Sequence, residues 1–304
     1  MLIGLLSTNG SPGVSTTAMA MGSVWPSPVV VIDADPSGGD MLAAAGSVVE
    51  ADREHSLLEL LRLGGQGQIP RVLDSQITVL PTRAPVVTGL AHPGQAGGVA
   101  WTDLAEGLRA VTHRDVLVDL GRWGLPYAPA PVLRACDLLV LVVRTHLRGL
   151  RRAERILPLI RGDVPRHNPG GASVGLLVVN DHGPYAVADI TRSAKLGVPV
   201  FGELPLDTRT AAVFSEGTTP GRHWDRSPLA RALPGVVRTL GQLAGQQRAL
   251  GTRAPLLRQH PSAPTPLPRP PAPSPATTPR VPLREMARTP RRLSAVPSTG
   301  TAHS

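Results

Sequence analysis

Ser7-Thr8-Asn9-Gly10-Ser11-Pro12-Gly13-Val14-Ser15-Thr16-Thr17 joins two segments of opposite character. Ahead of it, Leu2-Ile3-Gly4-Leu5-Leu6 is a short apolar run that predicts a buried strand. Behind it, Ala18 to Trp25 reads as an alanine-rich helix that Pro26 ends. A strand, a turn of Gly and Ser, and a helix N-terminus together make a cradle for phosphate. Glycine lets the backbone curl, successive N–H groups turn inward, and the helix dipole adds partial positive charge.

The full phosphate-loop pattern is Gly, four residues, then Gly-Lys-Ser/Thr. Here Thr8 stands in place of the first Gly and Val14 in place of the Lys, while Ser15 keeps the hydroxyl that holds magnesium. Two further strand ends strengthen the pattern. Pro28 to Ile32 runs into Asp33-Ala34-Asp35-Pro36, and Val116-Leu117-Val118-Asp119-Leu120-Gly121 closes on the Asp-x-Gly of a Walker B strand.

Taken in order, these segments resemble the ParA/MinD family of deviant Walker P-loop ATPases, of the SIMIBI class. Asn9 to Thr16 stands where that family carries Lys-Gly-Gly-x-Gly-Lys-Thr-Thr, and Asp33-Ala34-Asp35-Pro36 matches its Asp-x-Asp-Pro switch segment. The resemblance continues through Asp137 to Val143, Val178-Val179-Asn180 and Gly202-Glu203-Leu204-Pro205-Leu206-Asp207, covering the first 250 residues or so. The Asn-Gly-Ser-Pro-Gly-Val-Ser-Thr-Thr form of the loop is similar to an actinobacterial branch associated with Tad-type pilus or secretion machinery.

Read as a phosphate cradle, the turn offers the N–H groups of Gly13, Val14, Ser15 and Thr16, with Gly10 and Ser11 in the same curl. ATP and Mg2+ are the implied ligands, with Ser15 on the metal and Asp119 orienting its water shell. The resemblance places Asp33 and Asp35 beside the γ-phosphate, Asp35 being the catalytic residue that positions water. It places Asn180 on adenine and Pro205 to Asp207 beside the base. A strand-end cap is the structural alternative for Asn180.

The departures bear on activity. The family uses two lysines, one in the loop and a signature one that reaches across a dimer. Val14 and Asn9 occupy those positions, Lys195 is the chain's one lysine, and Pro12 removes an N–H from the turn. In phosphoryl transfer the protein supplies position and charge neutralisation, so loss of one cation costs about 10³-fold or more. Weakened ATP binding and slow or absent hydrolysis follow. Arg122 and Arg144, each close to a strand end, are candidates to replace the missing charge.

The remaining composition sets limits. The chain has 304 residues, 41% of them hydrophobic and 3% aromatic, so a core of Ala, Val, Leu and Ile is expected. No apolar run is long enough for a membrane span and no cleavable leader is evident, which predicts a cytoplasmic protein, with recruitment to a membrane or pole left to partners. Cys136 is the single cysteine, so no internal disulfide forms, and its context predicts a core residue. The histidines show no metal-ligand spacing.

The net charge of +9 is concentrated at one end: Arg253, Arg258, Arg269, Arg280, Arg284, Arg288, Arg291 and Arg292 face Glu285 alone, leaving a nearly neutral body. Proline-rich and without helical periodicity, residues 251–304 read as a disordered tail after a folded domain of residues 1–250. The tail's arginines suit non-specific DNA or anionic lipid, although a solvated extension is the plainer reading. Arg148, Arg151, Arg152 and Arg155 on one helix form a second candidate stripe, with a solvated helix face as its plain reading.

Alternating apolar runs and helical patterns predict an α/β, P-loop NTPase-like fold: a mainly parallel twisted sheet with helices on both faces. Short strands are expected at 77–81, 174–180 and 198–204, and helices at 56–63, 102–111, 147–160, 186–196 and 227–250. Ala84 to Gly98 is expected to be a surface loop. The functional reading is a nucleotide-dependent positioning protein, homodimeric when nucleotide binds, acting on a bacterial protein partner in pilus or secretion assembly, or in chromosome or plasmid partitioning. A catalytically dead scaffold that keeps the fold as a binding surface is the alternative. An enzyme on a dinucleotide-binding fold is disfavoured, because the first turn lacks Gly-x-Gly-x-x-Gly.

Overall fold

The computed structural model describes residues 1–8, 12–39, 41–48, 55–163, 174–193 and 195–251. Asn9, Gly10, Ser11 and the whole 252–304 segment therefore lie outside the described residues. The chain's first unit runs from Met1 to Leu256.

Eight strands form one sheet: β1 (Leu2–Ser7), β2 (Val29–Asp33), β3 (Thr78–Val79), β4 (Pro85–Val87), β5 (Asp115–Arg122), β6 (Leu138–Arg144), β7 (Val174–Asn180) and β8 (Val200–Pro205). The helices are α1 (Val14–Ser23), α2 (Leu57–Leu63), α3 (Ile69–Val72), α4 (Trp101–Arg109), α5 (Ala130–Ala135), α6 (Leu147–Asp163), α7 (Val187–Arg192), α8 (Thr208–Ser215) and α9 (Pro228–Gly251). The strand order is β3-β4-β2-β5-β1-β6-β7-β8. Every neighbouring pair is parallel except β3 with β4.

Such a sheet must be covered on both faces, and the strand sequences show it. Along β1, Leu2 and Leu6 enter one core, with Leu60, Leu104, Leu133 and Leu157 of the helices on that side. Ile3 and Leu5 enter the other, with Met19, Phe214, Leu233 and Leu240. Alternation within an all-apolar strand thus feeds two layers at once. Gly4 interrupts the run because a Cβ there would sit 2.8 Å from Cys136 Sγ and from side-chain carbons of Leu120 and Leu139. Cys136 is itself buried and donates to the Val132 carbonyl at 3.2 Å. Burial pushes its thiol far up, aided by Asp137. It packs as a small core residue.

Three expectations about local structure need correcting. Ala84 to Gly98 is not a loop over the surface. It contains β4, whose Val86 and Val87 are fully buried and pair with Val31 and Ile32 of β2. Pro85 opens the strand, the position where a missing N–H is tolerated, and Pro93–Gly98 is a 3-10 turn. The run at 77–81 shrinks to Thr78–Val79, antiparallel to β4 at the sheet edge. The helix expected at 186–196 is the shorter Val187–Arg192.

β1 sits between β5 and β6: the chain crosses from β1 to β2 on one side, and later from β5 past β1 to β6 on the other. That is the topological switch point of the sheet, where a crevice opens at the carboxyl ends of the strands.

Candidate functional site

The crevice at that switch point is an open cavity of about 970 Å³ along the carboxyl edge from β5 to β8. Its floor is the N-terminus of α1. Gly13 has φ +97°, a left-handed turn that glycine adopts without strain, and it caps the helix. The first intrahelical bond runs from Thr17 N–H to Gly13 C=O at 2.9 Å. The N–H groups of Val14, Ser15 and Thr16 precede that ladder and crown the helix with donors. Gly13, Val14, Ser15 and Thr16 all line the cavity, as does Pro12. Val14 is buried and packs into the α1 side of the core.

Asp35 lines the cavity, its Oδ1 accepting the Ser37 N–H at 2.8 Å. It lies against Gly121, whose φ is +64° and whose missing side chain makes the room: a Cβ there would fall on the Asp35 carboxylate. Asp119 stands behind this wall with no exposed surface. Its Oδ1 accepts the Gly121 N–H at 2.8 Å, and its Oδ2 is buried with no hydrogen bond. Burial raises its pKa to about 6 against the Ser15 hydroxyl and the Gly121 N–H, with repulsion from Asp35 adding to the rise. A buried carboxylate oxygen without a donor, beside a serine at a helix N-terminus, suits a hydrated divalent cation.

Asp33 and Asn180 are not brought to the cavity wall. Asp33 is buried beneath Gly39 and Gly89, either of which would strike its carboxylate if it carried a Cβ, and its Oδ1 accepts the Asp35 N–H at 3.2 Å. It ties the turn after β2 to the turn after β4. Asn180 ends β7 as a cap: its amide donates to Glu203 at 2.7 Å, and its Oδ1 accepts the His182 N–H at 3.1 Å. The end of the cavity away from β5 is formed by Leu204, Pro205 and Asp207, with Ala211 and Ser215 of α8 and Leu229 of α9. Asp207 caps α8 through the Thr210 N–H at 3.1 Å. Hydrogen bonds to it, Thr210 first, hold its carboxyl below the usual range despite the rise that burial imposes.

The apolar pattern does not announce α8, but Asp207 before Thr-Arg-Thr-Ala-Ala-Val-Phe carries the capping signal for it. Arg122 and Arg144 both line the cavity. Lys195 is remote, on a groove between α6 and α7.

The residues present fit a magnesium nucleotide in part. Three N–H donors, the Ser15 hydroxyl and Asp119 are in place, and the cavity volume lies within the range of ligand sites. The loop lysines are not.

The sequence matches no protein-family model and no curated protein. The structure is similar to several solved ones. The ParA family ATPase from Chlorobium tepidum TLS superposes with a TM-score of 0.59 at 17% identity, over 79% of this chain and 98% of that one. The septum site-determining protein MinD from Pyrococcus horikoshii OT3, complexed with Mg-ADP, gives 0.61 at 15% identity, over 81% and 98%. A putative plasmid partition protein from Borrelia burgdorferi B31, bound to AMPPNP, gives 0.58 at 12% identity, over 79% and 98%. From its first strand to α9, the chain has the fold of the ParA and MinD ATPases.

Proposed function

We propose that this protein is a ParA/MinD-type nucleotide switch that binds ATP or ADP with Mg2+ at the carboxyl edge of its sheet and hydrolyses ATP slowly or not at all. The observation that carries the reading is the pairing of a donor-crowned α1 N-terminus with the buried, unpartnered Oδ2 of Asp119. Val14, Ser15 and Thr16 hold phosphate through backbone N–H groups, Ser15 takes the metal, and Asp119 holds the metal's water. Bound magnesium supplies charge neutralisation between phosphates. Asp35, at the cavity wall, is the group in position to orient a water, while Asp33 keeps the turn that carries Asp35 in place.

Slow hydrolysis follows from Val14, which offers no charge to the transferring phosphoryl group. A switch of this kind acts by changing its surface with the bound nucleotide. Its expected outputs are homodimerisation and recruitment of a bacterial protein partner, in pilus or secretion assembly or in partitioning. Among the described residues no helix is long and apolar enough to cross a membrane.

The test is to load purified protein with Mg-ATP, remove free nucleotide and identify what stays bound. ATP retained with sub-stoichiometric phosphate released supports the reading. Repeated turnover abolished by Ser15→Ala contradicts the slow-hydrolysis part, and no retention at all favours the scaffold.

A further inference from the structure

We propose that Arg122 and Arg144 form a clamp, contributed by this chain alone, for the phosphates of the bound nucleotide, in place of the absent loop lysines; this rests on the nucleotide reading of the cavity. The two arginines close the two strands that flank β1. Arg122 ends β5 and Arg144 ends β6, each one strand spacing, about 5 Å, from the strand that feeds the phosphate turn. Arg122 lies directly across from Ser7 in the parallel register, and the next residue, Trp123, donates its N–H to the Ser7 carbonyl at 2.8 Å. This contact fixes the Arg122 backbone at the mouth of the turn. Both arginines share the cavity lining with Gly13 to Thr16.

Of the carboxylates at or behind the cavity wall, two are offset when metal is bound. Asp35 and Asp119 lie on the Ser15 side, where a divalent cation offsets them. Asp207 and Glu216 bracket α8, which packs against α1, and both line the same cavity; Asp207 is engaged as the cap of α8 through the Thr210 N–H. A guanidinium on each side of the turn suits phosphate oxygens better than an ammonium, because its donors fork across two oxygens at once. The ligand class is thus a nucleoside di- or triphosphate, with selectivity rising with the number of phosphates.

The test is equilibrium titration of the full chain with mant-ATP, mant-ADP and mant-AMP in magnesium, comparing wild type with Arg122→Gln, Arg144→Gln and the double variant. Each single change is expected to weaken mant-ATP about tenfold or more, the worth of a charge-assisted hydrogen bond, and mant-AMP much less. Arg122→Lys and Arg144→Lys should recover part of that loss, with the unliganded melting temperature of the Arg122 variants unchanged. Arg122 is solvent-exposed, so Arg122→Gln carries the test by itself if Arg144→Gln does not fold. Wild type that binds while the Gln variants match it, or lose mant-ATP and mant-AMP equally, overturns the clamp and leaves the nucleotide site standing. Wild type that binds none of the three overturns the site and the clamp together.

Discussion

Asp119 concentrates the tension of this molecule in one side chain. A carboxylate with no exposure and one oxygen without a donor is expensive in the ligand-free fold, and its raised pKa records that cost. Because the folded pKa, about 6, lies above the ordinary value of 3.8, the group's contribution to stability is complete below that ordinary value. It is lost as pH rises through 6, a change on the order of 3 kcal/mol. Asp119→Asn keeps an acceptor for the Gly121 N–H and removes the charge. Without nucleotide or magnesium, urea unfolding from pH 4.5 to 8 should show the variant flatter with pH and more stable than wild type at pH 8. Gly121→Ala works the other way: its φ of +64° and the Asp35 carboxylate leave no room, so a loss of about 1–3 kcal/mol is expected in the same experiment. An Ala variant as stable as wild type would show that Asp35 moves aside freely.

Among the elements, the strand–turn–helix unit of β1 and α1 was legible because glycine, serine and an apolar run announce it directly. α2 was legible for the same kind of reason: Ser56 precedes a Leu-rich amphipathic run and Gly64 follows it, and the Ser56 hydroxyl does accept the Glu59 N–H at 3.3 Å. Ser56→Ala should cost about 1 kcal/mol by chemical denaturation, since it orphans one donor of the first turn. β4 was hidden because its three residues are too few to show periodicity and the prolines and glycines around it read as turn chemistry. Only its placement against β2 makes Val86 and Val87 core residues, and that is tertiary information. Asn180 and Asp33 show a related limit. A motif names the residue at a strand end, but which way its side chain turns depends on Glu203 or on Gly39 and Gly89 arriving from elsewhere.

At the scale of the whole molecule, the fold follows from strand hydrophobicity feeding two helical layers, and the site follows from where β1 lies in the order. Both are built from described residues that end with α9. A chain ended after Leu256 is therefore expected to melt at the temperature of the full chain and to bind nucleotide equally well; a drop of several degrees would assign the terminal segment a part in the folded unit. We propose that the α1 N-terminus and Asp119 still hold a metal-bound nucleotide without the loop lysines. The most direct measurement is titration of the wild-type chain with mant-ATP in magnesium and again in EDTA, beside Ser15→Ala. Saturable binding that magnesium strengthens and Ser15→Ala weakens is the predicted result. Equal signals in all three, or none in any, would contradict it.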